Sequence, residues 1–527
     1  MSTQNIQIGF LILGILLLAY MGLLAQKRVR NHDDMSVGGR TFTAWSIFVS
    51  LFAFWGGNTI ASIVELAHKD GIASGWFGIS RMTMFILILF ITGGAFRKLA
   101  MITLSDFIAN RFESPFLRLL SGIIIALNFT IFTVSSVVGA AAFFTVILGW
   151  SVWTSVLFTV ASFLTYTALG GMHALSYNGR ILTIGQLLSL AVAAGFGVYY
   201  AGWGAIQNLE PRYFDPLPAN YYGTVLMWFF TFIVNAFVAQ AALQIVMACK
   251  DINEGRKGIL YTALAFLPVI VLAPLAGMAA KVLYPTIKSV QAMPMLASGM
   301  PSAILSSVLV LGLYFTTLGW ASSCILSGGT VCANDIYRYF KPDASSTELV
   351  LASRISIVIL SLLTVGFAVL IPSGVEFWTI VGFVLRNTGL FPLILIGLFW
   401  NAISRRSAVI SAIAGSTTGI IWYLIKFPAF LFNAHPMFVG MIVSMVIVTV
   451  GTFIEFRGAF KMVFSAPAII FSVIGLVLAI ITVTQASALI QMKIFVALIS
   501  ITISMLFVAV LFLFKKDEPL GGAQAVA

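Results

Sequence analysis

The chain has 527 residues, 60% of them hydrophobic and only 9% charged. Soluble domains carry roughly 25% charged residues, so with a mean hydropathy of +1.05 the chain reads as a polytopic membrane protein. A secreted disulfide scaffold and a nucleic-acid-binding domain are excluded by composition, and an outer-membrane barrel by apolar runs that are continuous rather than short and alternating.

Fifteen segments reach the ~20 apolar residues that a spanning helix needs. In chain order they are 6–26, 43–67, 74–96, 116–146, 150–169, 180–202, 222–247, 258–283, 302–333, 350–371, 376–400, 407–425, 436–454, 464–484 and 489–514. No Lys or Arg precedes the first run, and Lys27, Arg28 and Arg30 follow it. That pattern predicts an uncleaved first span with its N-terminus outside. Fifteen crossings then place the Lys515-Lys516 tail in the cytoplasm. Of the 29 Lys and Arg, 21 fall on the cytoplasmic side and six outside: Lys69, Arg212, Lys281, Lys288, Lys426 and Lys493. This bias follows the positive-inside rule of a bacterial-type inner membrane and accounts for the net charge of +12 without an acidic partner. The remaining two, Arg81 and Arg386, interrupt apolar segments. Cys249, Cys324 and Cys332 lie in or beside apolar runs without metal-ligand spacing and read as buried helix residues.

Glycines suggest two discontinuous helices. Trp55-Gly56-Gly57-Asn58-Thr59 lies near the middle of span two, and Gly319 and Gly328-Gly329 lie in span nine. Such clusters either unwind a helix to line a site or let two helices approach closely. The first reading is taken for Gly56-Gly57-Asn58.

Four short patterns occur in a recognisable order. They are Met35-Ser36-Val37-Gly38-Gly39-Arg40, the stretch Tyr166 to Leu175 with its Gly170-Gly171 pair, Asn334-Asp335-Ile336-Tyr337-Arg338, and Pro392 followed by Gly397-Leu398-Phe399-Trp400. Together, from about residue 5 to 455, they resemble the sodium:solute symporter family. The resemblance implies an all-α, leucine-transporter-like fold, with spans 2–6 and 7–11 as two inverted five-helix repeats and substrate bound near the midplane. The organisation expected is a first span with its cytoplasmic loop (1–42), repeats at 43–202 and 203–400, spans twelve and thirteen (401–455), and two extra spans with a short tail (456–527).

Enzyme motifs, cofactor-binding motifs and metal-ligand clusters are absent from the sequence. Glu65 is the one acidic residue placed within a span. It reads either as a proton carrier with His68, or as a residue near the outer end paired with Lys69 at i, i+4 spacing. Arg386 lies ten residues inside span eleven, too far from either end to snorkel easily. It either faces a cavity, where it suits a carboxylate, or is held by backbone carbonyls freed around Pro392. Arg81 is nearer the outer surface and reads first as a snorkelling residue. Trp55, Asn58, Thr59 and Trp320 are candidate substrate contacts, with ordinary packing as the alternative for each Trp.

The resemblance implies a sodium site built from span-two carbonyls and a hydroxyl pair on span nine, oxygens that suit a small hard cation. The carbonyl positions map to Ala53 and Gly56. A gapless alignment of span nine puts Gly319-Trp320 at the hydroxyl pair and Thr316 beside it. A three-residue shift would place Ser322-Ser323 there instead. The family's Thr-Asp pair at the start of span six is replaced by Asn178-Gly179, followed by Arg180. Arg180 is read either as a fixed charge replacing the ion or as an ordinary positive-inside residue. The expectation is a secondary transporter of a small organic solute, leaning to a carboxylate-bearing one and not strictly sodium-coupled. The rival readings are a conventional symporter using Ser322/Ser323 and a transporter-like membrane sensor. Thirteen residues follow Phe514, which leaves no output domain for the last. The partners expected are a small-molecule substrate and the bilayer.

Overall fold

The computed structural model describes residues 3–93, 101–402, 404–425 and 434–516. The last residues of the third segment (94–96) and Lys426 lie outside the described residues. Among those described, thirteen continuous helices are long and apolar enough to cross a membrane. Two of them, Ala44–Ile91 and Val152–Ala201, have 48 and 50 residues. At 1.5 Å per residue each would extend roughly 70 Å, more than twice the ~30 Å hydrocarbon core, and each turns back on itself. The turns are at Gly71 (φ 64°, ψ −141°) and Gly171 (φ 51°, ψ −137°), conformations that favour glycine. Neither position has room for a side chain: a Cβ would lie 2.1 Å from Tyr213 O at Gly71 and 2.6 Å from Met35 O at Gly171. The thirteen helices thus make the fifteen crossings read from the sequence. Contacts fix the two ends of the bundle. Gln4 donates to Leu148 O at 2.6 Å, and Gly22, at the far end of span one, abuts Tyr166.

The packing has the symmetry of two inverted repeats. Span two packs on span eight as span seven packs on span three, and span four packs on span eleven as span nine packs on span six. The last two spans, Ala466–Thr484 and Phe495–Leu513, pair with each other. They are tied in by the only strands among the described residues, where Phe460–Met462 pairs antiparallel with Phe514–Lys516. Trp400 Nε1 donates to Phe514 O at 2.6 Å, and Asn401 bonds Lys516 through both its backbone groups.

Three expectations are corrected. Span two is an unbroken helix, Ala44–Asp70, because its glycines serve close approach: a Cβ on Gly57 would lie 2.5 Å from Thr316 Cβ. Span nine is likewise unbroken over Ala303–Val331, and its end widens into a π-helix, Cys332–Tyr337. The break occurs in span seven, where Tyr222–Val238 and Gln240–Met247 are separated by Ala239 (φ −76°, ψ 70°). There the Gln240 side chain accepts from Leu104 N at 2.6 Å and donates to Ile102 O at 3.3 Å. Span six begins at the Gly171 turn and not near 180, so Asn178, Gly179 and Arg180 lie inside the helix.

Candidate functional site

Trp55, Asn58 and Thr59 recur at i, i+3 and i+4 and share one face of span two. Trp55 meets Trp320 edge-on, with centroids 5.0 Å apart, and Trp320 continues to Phe54 at 4.9 Å and Phe132 at 5.6 Å. Trp320 Nε1 is satisfied by Phe132 O at 3.2 Å. Trp55 Nε1 is buried without a partner. Spans two, four and nine therefore meet in one aromatic cluster.

Two arginines flank it. Arg81 does not snorkel; it is 2% exposed. The end of span three is covered by the 203–221 connection, where Trp76 Nε1 donates to Pro216 O at 2.8 Å, so the side chain turns into the bundle. Its Nη1 donates to Thr59 Oγ1 at 2.6 Å and to Asn58 Oδ1 and Trp55 O at 3.3 Å. Its guanidinium carbon stands 4.7, 4.8 and 4.6 Å from the ring centroids of Trp55, Phe77 and Phe232. Arg386 is also 2% exposed, but its acceptors are side chains and not the carbonyls around Pro392. It bonds Asn387 at 3.1 and 3.0 Å, Asn128 at 3.4 Å, and Asn235 through a short contact. All three of its nitrogens meet an asparagine oxygen, tying spans four, seven and eleven. Neither arginine belongs to an ion pair among the described residues. Asn128 and Asn235 escaped the sequence reading, although amides inside apolar runs carry the same signal as Arg386.

The expected ion positions are only partly brought together. Gly319 presses on span two, where a Cβ would lie 2.1 Å from Ala53 O. Gln186 Nε2 donates to Ala53 O at 3.1 Å and to Phe315 O at 3.2 Å, so one amide bridges spans two and nine. Gly179, Thr183 and Gln186, at i, i+4 and i+7, form the face of span six turned to span two. A Cβ on Gly179 would meet Val49 O at 2.8 Å, and Thr183 Oγ1 donates to Val49 O at 3.1 Å. Arg180 points away from this face; it is exposed and stacks 5.7 Å from the Tyr177 ring. Gly56 faces the Phe52 ring of its own helix. Thr316 packs on Gly57 and donates to Leu313 O at 2.7 Å. Ser322 donates to Gly319 O at 3.4 Å, and Ser323 is buried. Gln186 is a third amide inside an apolar run that was missed, and its two carbonyl partners are known only from the fold.

Glu65 and His68 are not a pair. Glu65 is exposed and enters no ion pair with Lys69 among the described residues. His68 is buried against the end of span eight, with Nε2 3.1 Å from Tyr284 O and Nδ1 3.4 Å from Ser289 Oγ.

At the end of the bundle near Arg28 the Asn334-Asp335 motif anchors a polar network. Asp335 Oδ1 accepts from Arg118 Nε at 3.1 Å and Thr103 Oγ1 at 3.0 Å. Asn334 donates to Asp106 at 2.8 Å, and Arg118 also pairs with Asp106. These bonds tie the end of span nine to span four and to the short helix Leu104–Phe112.

The sequence pattern of the sodium:solute symporter family matches residues 36–415. The high-affinity proline transporter PutP of Bacillus subtilis (strain 168) is 24% identical over 469 residues, 82% of this chain and 95% of that protein. The sodium/glucose cotransporter of Vibrio parahaemolyticus is 24% identical over 427 residues, 73% of this chain and 78% of that one. A Na+-coupled sialic acid symporter in a substrate-bound, outward-open state shares the fold. Its TM-score is 0.72 at 16% identity, over 85% of this chain and 97% of the other.

Proposed function

The chain belongs to the sodium:solute symporter family, and from that premise we propose that it moves a small organic solute across the plasma membrane without requiring sodium. That it is a multi-pass secondary transporter of small solutes follows from the family; the absence of a sodium requirement is the proposal. The observation that carries it is the Gln186 amide. Its N–H groups are donated to Ala53 O and Phe315 O, on the two helices that the family resemblance pairs at the ion site. An amide donor on a carbonyl does locally what a cation would do: it offers positive charge to a lone pair and holds two helices together. A small hard cation is held by several oxygens at once. Gly319 supplies no hydroxyl, and its contact with Ala53 O leaves no space for one.

In this reading spans two, six and nine stay joined by Gln186 throughout the cycle. Access to the aromatic centre alternates between the end at Gly71 and the end closed by Asp335, Arg118 and Asp106. The charge bias supports an external N-terminus and a cytoplasmic Lys515-Lys516 strand. Uptake would be driven by protons, by exchange, or by the solute's own gradient. The lean towards carboxylate-bearing solutes does not rest on Arg386, whose nitrogens all meet asparagine oxygens.

The test needs no known substrate. The thermal stability of the purified protein is compared in sodium and choline chloride at equal ionic strength. A site with sodium at 100 times its Kd would add about 2.7 kcal/mol, whereas this reading expects no difference. Saturable stabilisation by sodium, lost when Ser322 and Ser323 are changed to Ala, would refute it and establish the shifted ion site. Uptake of labelled proline, glucose and sialic acid into proteoliposomes under single imposed ion gradients then identifies the driving force.

A further inference from the structure

Arg81 is a buried cation with no ion-pair partner among the described residues, and part of its donor set is unused. Nη1 makes its three bonds to span two, yet Nε is buried with no hydrogen-bond partner. The second such donor is its neighbour: Trp55 Nε1 is also unpartnered, in a ring whose centroid is 4.7 Å from the guanidinium carbon. Buried polar groups are nearly always paired. Two unpaired N–H groups beside a formal positive charge mark a place for an acceptor that the described residues do not supply. Arg386 is different, because asparagine oxygens already occupy its nitrogens.

We propose that Arg81 and Trp55 form the subsite that receives a carboxylate of the transported solute. A carboxylate has acceptor sites for both donors and neutralises the guanidinium. A hydroxyl or a neutral amide of a solute could satisfy one donor but would leave the charge uncompensated. The faces of Trp55, Phe77 and Phe232 hold the guanidinium by cation–π contact, and Thr59 fixes Nη1 at 2.6 Å. The cation is therefore held in place before the solute arrives. The subsite rests on the transporter reading, not on its coupling, and it moves the carboxylate contact expected at Arg386 to Arg81.

The experiment measures binding to the purified full chain by thermal shift and equilibrium titration. The probes are carboxylates paired with their own amides: L-proline with L-prolinamide, isobutyrate with isobutyramide, and benzoate with benzamide. Each pair is run in sodium and in choline. At least one carboxylate is expected to bind while its amide does not. Arg81→Gln should weaken that carboxylate by about 100-fold, and Trp55→Phe, which keeps the ring and loses the N–H, by about 10-fold. Trp55→Phe keeps the test valid if Arg81→Gln fails to fold. The proposal is overturned if no carboxylate is preferred to its amide, or if affinity survives both substitutions. Carboxylate binding seen only in sodium would uphold the subsite and refute the sodium-free reading, so the two fail separately.

Discussion

Gly319→Ala places one methyl group against the backbone of another helix. The added Cβ would stand 2.1 Å from Ala53 O and 2.9 Å from Ala53 C, against the ~3.5 Å at which non-bonded heavy atoms rest. A carbonyl inside a helix cannot rotate away, so spans two and nine would have to separate by about 1.4 Å. Overpacking of this kind costs about 1–3 kcal/mol. The separation also stretches the Gln186 bonds to Ala53 O and Phe315 O, now 3.1 and 3.2 Å, and losing both adds about 1–3 kcal/mol. The expected destabilisation is about 2–6 kcal/mol. Gly366→Ala is the control: it lies within the helix Ser346–Leu370, and nothing lies within 4 Å of its added Cβ. It should be neutral or stabilising by up to about 1 kcal/mol. Denaturation of the purified proteins in detergent measures both. A Gly319→Ala variant within 1 kcal/mol of the parent would show that spans two and nine are not held in this contact, and the argument from Gln186 would fall with it.

Burial, with the Arg338 charge adding to it, lowers His32 from 6.5 to about 4. The unfolded chain therefore takes up the proton first, so stability should fall as pH drops from 6.5 to 4, by up to about 3 kcal/mol. His32→Gln should remove that part of the slope in pH-dependent denaturation; an unchanged slope refutes the assignment. Asn235→Leu strips an acceptor from the buried Arg386 and should cost about 2–3 kcal/mol. The Asn235→Leu/Arg386→Met double variant should recover much of the loss in a double-mutant cycle, whereas additive costs would deny the coupling. Single cysteines within 210–220 and at Lys493 should react with an impermeant reagent from outside, and those at Arg256, Arg405 and Lys515 only from inside. Labelling of Lys493 and Lys515 from the same side would remove the last crossing.

The number and order of the crossings were legible in the sequence because the bilayer imposes them. Apolar runs of spanning length can only be helices there, as no water is present to satisfy the backbone. Basic residues between the runs set the orientation expected. The motifs around Gly39, Gly170-Gly171 and Asn334-Asp335 carried the family, since their glycines and buried polar groups have local requirements. What a glycine does within a span was not legible. Gly56-Gly57 can unwind a helix or admit a neighbour, and the presence of Thr316 across the interface decided for close packing. The actual break, at Ala239, is held through Gln240 by residues 102 and 104, more than 130 positions earlier. The two intramembrane arginines look alike in sequence, as charges in apolar runs. Only the tertiary structure separates them, giving Arg386 two asparagine partners from distant helices beside its neighbour Asn387, and leaving Arg81 with an unused Nε beside an unpaired indole. Hydropathy is a property of one segment, whereas hydrogen-bond satisfaction belongs to the groups that meet across several, so the latter awaited the fold.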